Sequence, residues 1–151
     1  MAQSLVKIYI HLIFHVKTSS VMIQPCDQSS LYAYIMGILR SCESTPIRVG
    51  GTRDHVHILC TLPKNMCVPD LVKKIKYSSN YFLKQHRPIY KDFTWQSGYG
   101  AFSVSSSVVE NVKRYIDNQL IHHHDMPFRE EFLMFLKEYE IEYDEKYVLS
   151  D

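Results

Sequence analysis

At 151 residues, 46% hydrophobic and 22% charged, the chain has the composition of a globular domain that buries roughly two thirds of its unfolded surface, and it carries no disorder-prone bias. A net charge of +1 excludes a protein that coats duplex nucleic acid by bulk charge, so contact with nucleic acid has to come from a local patch. No apolar run approaches the ~20 residues of a membrane span. Met1 to Lys7 lacks the pattern of a signal peptide, and Cys26, Cys42, Cys60 and Cys67 lack Cys-x-x-Cys spacing, which reads as reduced thiols in a cytoplasmic protein.

The first element runs from Leu5 to Val16. Ile8, Ile10, Leu12, Phe14 and Val16 alternate with Lys7, Tyr9, His11, Ile13 and His15, a period of two that predicts a strand with one buried face. After Pro25, Asp27 or Ser29 is placed to cap a helix whose residues Leu31, Tyr34, Ile35, Ile38, Leu39 and Cys42 recur at helical spacing. Pro46 breaks the chain before a strand, Ile47 to Val49. Gly50-Gly51 and Arg53-Asp54 then turn it into a second strand, His55 to Leu62, as an antiparallel hairpin.

Val68, Leu71, Val72, Ile75, Phe82 and Leu83 describe a helix to about His86, with Lys73, Lys74 and Lys76 on its polar sides. Phe93 to Val104 reads as an aromatic strand with a kink or bulge at its glycines. Ser105 to Ser107 is placed to cap a helix to about His123, and Pro127 opens a final helix, Phe128 to about Ile141, before an acidic tail. The order predicts an α+β fold: a ferredoxin-like β-α-β-β-α-β antiparallel sheet with additional C-terminal helices, all in one domain, 1–151.

Two patterns carry chemistry. His55 and His57 flank Val56 on a strand, so both imidazoles leave the same face, where they can chelate a divalent cation or simply be a surface pair. On the later helix Tyr115 and Gln119 lie one turn apart, on the flank of the stripe Val109, Val112, Ile116 and Leu120. By itself that position suits a tyrosine at a core edge. His122, His123 and His124 diverge by about 100° each and cannot share one ion from one helix; only His122 points near Tyr115.

Taken together, Arg53-Asp-His-Val-His-Ile-Leu59, Tyr115-Ile-Asp-Asn-Gln119, Trp95 to Val104 and Ile141 to Tyr147 resemble the single-tyrosine HUH transposases of the insertion sequence 200/605 type. The likeness runs nearly the whole chain. It implies a ferredoxin-like homodimer acting on single-stranded DNA at hairpin-bearing element ends, with the tyrosine of one subunit commonly serving the partner's histidines. It implies Tyr115 as nucleophile, through a 5′-phosphotyrosine, and His55, His57 and Gln119 as ligands of Mg²⁺ or Mn²⁺. Candidate phosphate contacts are Arg53, Lys73, Lys74, Lys76, Lys113 and Arg114. Candidate base-stacking residues are Tyr9, His11, His15, Trp95 and Tyr99. The alternatives are a replication-initiator-type nickase, a domesticated repeat-associated transposase and a non-catalytic ferredoxin-like RNA-binding module.

Overall fold

A computed structural model describes residues 2–119 and 126–151. Strands β1 (Tyr9–His15), β2 (Pro46–Gly51), β3 (His55–Thr61) and β4 (Gly100–Val104) form one antiparallel sheet in the order β2-β3-β1-β4. Helices α1 (Gln28–Ser41) and α2 (Val68–His86) are the two crossovers of a ferredoxin-like fold. Helices α3 (Val109–Asp117) and α4 (Phe128–Glu138) follow. No described helix is long and apolar enough to cross a membrane.

One sheet face carries the main core. Leu12 and Phe14 of β1 and Val56 and Ile58 of β3 pack beneath Leu31, Ile35 and Leu39 of α1 and Leu71, Ile75 and Leu83 of α2. The second face, expected to be open, is covered as well. Ile13 and Phe102 meet Phe132 and Leu136 of α4, and Leu59 and Val104 meet Ile116 of α3. The alternating polar side of β1 is therefore dry: His11 and His15 are only 2% and 6% exposed, which removes both as stacking surfaces for bases. Trp95 is also core, donating Nε1–H to Ser79 Oγ at 3.0 Å and lying edge-on to Phe14 and Phe93.

Several boundaries move for physical reasons. β1 begins at Tyr9, and Leu5, Val6 and Ile8 stay exposed. Asp27 makes no side-chain cap to α1; it is buried, accepting the Tyr90 hydroxyl at 2.5 Å and pairing with His86 and Arg87. The aromatic strand is split into a single bridge, Val16 to Trp95, and then β4. α3 stops at Asp117, where Asn118 leaves helical geometry (φ −98°, ψ 17°), so Gln119 is not on the same uninterrupted helix as Tyr115. The expected continuation to His123 lies outside the described residues, with His122.

Gly50-Gly51 is not the hairpin turn but the end of β2, paired with His57 and Val56. A Cβ on Gly50 would sit 2.8 Å from Ile116 Cγ2 and 3.2 Å from the Ile116 carbonyl oxygen. The bare backbone is what lets α3 lie directly on the sheet beside the histidines. At Gly51, φ is +156° and a Cβ would come within 2.3 Å of the His55 carbonyl oxygen.

Candidate active site

His55 and His57 leave β3 on the face covered by α3 and α4, and both are fully buried. Each is held from behind through Nδ1. That of His55 lies 2.6 Å from Asp54 Oδ1, which also accepts the Thr52 hydroxyl at 2.8 Å. That of His57 lies 2.8 Å from Nε2 of His11 on the neighbouring strand. A partner on Nδ1 fixes the ring and turns Nε2 inward, the arrangement that orients metal-binding imidazoles.

The two Nε2 atoms face a carboxylate that the sequence did not single out. Glu131 of α4, fully buried, places Oε1 2.9 Å from Nε2 of His57 and 3.7 Å from Nε2 of His55. Its Oε2 accepts the hydroxyl of Tyr115 and, at 3.3 Å, the amide of Gln119. Gln119 also directs Nε2 at the Tyr115 carbonyl, 3.4 Å away, so its orientation is set and Oε1 faces Nε2 of His55 at 3.1 Å. Tyr115 and Gln119 thus converge despite the end of α3 between them.

The electrostatics are those of a closed, dry site. Burial, then the hydrogen bond and charge of Glu131, hold the Tyr115 hydroxyl far above the ordinary tyrosine range, with Gln119 opposing. Burial, then the neighbouring His57, push His11 well below the usual histidine range, with Glu131 opposing. In the tautomer that carries its proton on Nδ1, toward Asp54, His55 would oppose its Nε2 lone pair to the Gln119 carbonyl oxygen 3.1 Å away. A proton or a cation between them resolves that clash of acceptors. The ligand atoms of His55, His57 and Glu131 all lie within 4.8 Å of one another, a donor set of nitrogen and oxygen that fits one divalent cation.

The basic candidates are scattered. Arg53 is exposed in the turn before His55, and Arg114 is exposed on α3 and bonded to Asn111. Lys113 pairs with Glu110 at 3.3 Å. Lys73, Lys74 and Lys76 lie on α2, across the sheet from the histidines. Lys76 is committed to carbonyl oxygens of Gln96 and Gly98, at 2.7 and 2.6 Å, and burial lowers its pKa to about 8. Glu131 had a legible signal: in Phe128-Arg-Glu-Glu131-Phe132-Leu-Met-Phe135-Leu136 it occupies the apolar stripe of α4, where an acid stays only if something binds it.

A ferredoxin-like sheet bearing a buried histidine pair beside a half-buried tyrosine has the architecture of a tyrosine transposase, an enzyme of DNA recombination. The chain belongs to the family described as Transposase IS200 like, which it matches over residues 4–119. No curated protein sequence matches it. Among solved structures it is similar to a protein of Deinococcus radiodurans R1 described as a transposase, with TM-score 0.57 and 22% identity over 79% of this chain and 98% of that one. It is also similar to a REP-associated tyrosine transposase bound to a REP hairpin, with TM-score 0.56 and 15% identity over 85% of this chain and 79% of that one.

Proposed function

We propose that this transposase cuts and rejoins single-stranded DNA at hairpin-bearing element ends, in a metal-dependent reaction with Tyr115 as the nucleophile. The observation that carries the reading is the meeting of four groups on one buried carboxylate: the Tyr115 hydroxyl, the Gln119 amide and Nε2 of both His55 and His57. The hairpin bound to the REP-associated relative supports that substrate form.

His55, His57 and Gln119 would hold Mg²⁺ or Mn²⁺, with Oε1 of Glu131 on the same side. Bound there, the ion supplies positive charge that polarises a phosphate and offsets the charge developing on it. Asp54 and His11 fix the two rings through Nδ1 and keep Nε2 of each aimed inward. The phenolic oxygen of Tyr115 attacks phosphorus in line, the bond from phosphorus to the 3′ oxygen breaks, and a 5′-phosphotyrosine forms. The phenolic proton passes to Oε2 of Glu131, its hydrogen-bond acceptor, and the departing 3′ oxygen takes a proton from water. A 3′-hydroxyl later attacks the phosphotyrosine and gives its proton to water, the bond from phosphorus to the phenolic oxygen breaks, and the proton returns from Glu131 to the released phenolate. The ester energy is kept throughout, so no nucleotide cofactor is consumed.

The test is to incubate the protein with hairpin-bearing single-stranded oligonucleotide and Mg²⁺ and look for a covalent adduct on a denaturing gel. The adduct is expected to vanish with chelator and in Tyr115→Phe; an adduct that survives Tyr115→Phe overturns the assignment. We further propose a homodimer. Mixing Tyr115→Phe with His55→Ala subunits decides how its sites are built: restored cleavage means exchange in trans, whereas verified but inactive heterodimers mean the pairing within one chain seen in the resting geometry.

A further inference from the structure

The chain's basic charge is not spread evenly. Between Leu71 and Lys91 there are six cationic side chains, Lys73, Lys74, Lys76, Lys84, Arg87 and Lys91, and no carboxylate, so the rest of a chain of net charge +1 is net acidic. Asp70 stands just before this run, in the first turn of α2. Two large rings stand out on the same helix. Tyr77 is 74% exposed and Tyr81 is 59% exposed, in a protein that buries its other α2 apolar residues well.

At about 100° per residue, Lys73, Tyr77, Tyr81 and Lys84 form one stripe, with spacings of four, four and three. Tyr77, Tyr81 and Lys84 of the stripe line a groove of about 380 Å³, closed on its other side by Thr94, Trp95 and Gln96, and Lys73 lines the adjoining cavity that shares Lys76 and Tyr77 with it. That wall is built in. Lys76 ties down the carbonyls of Gln96 and Gly98. Gln96 donates its backbone N–H to the His15 carbonyl and accepts the His15 N–H on Oε1, at 2.9 and 2.8 Å. His15 pairs with His55 in the sheet, so the groove opens beside the strand ends that carry the histidine pair, although α2 itself covers the opposite face.

We propose that this groove is a second nucleic-acid site, which stacks unpaired bases of a single strand on Tyr77 and Tyr81 while Lys73 and Lys84 meet its phosphates. Exposed aromatic faces interleaved with lysines favour a strand whose bases are free, because a duplex keeps its base faces stacked inside. The polyanion is set by charge: an acid-free run of cations on an otherwise acidic chain attracts phosphate and repels acidic protein surfaces. The inference rests on the reading that this chain acts on single-stranded DNA, and it adds where the strand is held away from the cut.

The experiment measures fluorescence anisotropy of the full chain with a labelled oligothymidine of roughly 15 nucleotides in chelator, so that binding is read without cleavage. Tyr77→Ala/Tyr81→Ala is expected to bind at least about tenfold more weakly, and Tyr77→Phe/Tyr81→Phe to bind like the parent. An abasic strand of equal length should bind the parent as weakly as the alanine variant binds the normal strand. Lys84→Gln should reduce the salt slope by about 0.7. Equal affinity of the parent and the alanine variant, or of abasic and base-bearing strands, overturns the proposal. At saturating DNA and Mg²⁺ the alanine variant should still form the Tyr115 adduct, so a failure of cleavage and a failure of this groove remain separate results.

Discussion

Replacing Glu131 by Gln keeps the shape of the side chain and removes its charge. In the structure one carboxylate serves three donors: His57 at 2.9 Å, the Tyr115 hydroxyl, and Gln119 at 3.3 Å. An amide has a single acceptor oxygen, so its NH₂ must face either the imidazole or the phenol. One charge-assisted bond disappears and a buried donor is left opposed by another donor, a loss of about 2 kcal/mol for a site this dry. For a chain of this size that lowers the melting temperature by about 4–8 °C in metal-free protein, measured by scanning calorimetry in chelator. The same variant should bind Mn²⁺ about 10–100-fold more weakly, read as a smaller thermal shift at fixed Mn²⁺. Loss of the proton acceptor should slow adduct formation by about 10²–10⁴-fold. A variant as fast as the parent, or faster, refutes the reasoning, because Glu131 would then be a plug over the histidines and not a working group.

Three further outcomes test the supports of the site. Asp54→Asn weakens the bond behind His55; Asp54 is half exposed, so isothermal titration should show about 10–100-fold lower Mn²⁺ affinity with a nearly unchanged melting temperature. Gly50→Ala places a methyl 2.8 Å from Ile116 Cγ2 and should lift α3 with Tyr115, so adduct yield falls while far-ultraviolet circular dichroism is retained. The pKa of His11 is held down by burial, so below pH ~6.5 the unfolded chain takes up a proton that the folded chain refuses. Its contribution is complete above that pH and is lost as pH falls, by about 1.4 kcal/mol per pH unit until the folded pKa is reached. In chelator, His11→Asn should show a shallower fall in denaturant midpoint between pH 6.5 and 5 than the parent, and equal slopes would refute it.

Element order was legible because it depends on local periodicity. Alternation placed β1, the break before His55 placed β3, and the 3.6-residue stripe placed α1 and α2 almost to the residue, since a helix repeats its signal over several turns. His55 and His57 sharing a face is a property of any strand, whereas the unbroken helix expected to hold Tyr115 and Gln119 one turn apart ends at Asp117, and the two side chains meet only through the tertiary fold. What local pattern could not supply was the second layer. Whether the polar side of β1 meets water or protein depends on α3 and α4, which come about a hundred residues later. Their arrival turns His11 from an expected surface group into the partner of His57. Gly50 and Gly51 looked like a turn because glycine has the same local signature wherever it is required. Only the approach of Ile116 shows that the requirement at Gly50 is space.

The sequence by itself determined the strand and helix order, the family-bearing motifs and the same-face histidines, because each follows from backbone geometry over a few residues. The tertiary structure alone decided that Tyr115, Gln119, His55 and His57 meet at one point. It also alone supplied Glu131 as the buried acid between them, since burial and charge pairing are properties of distant segments brought together.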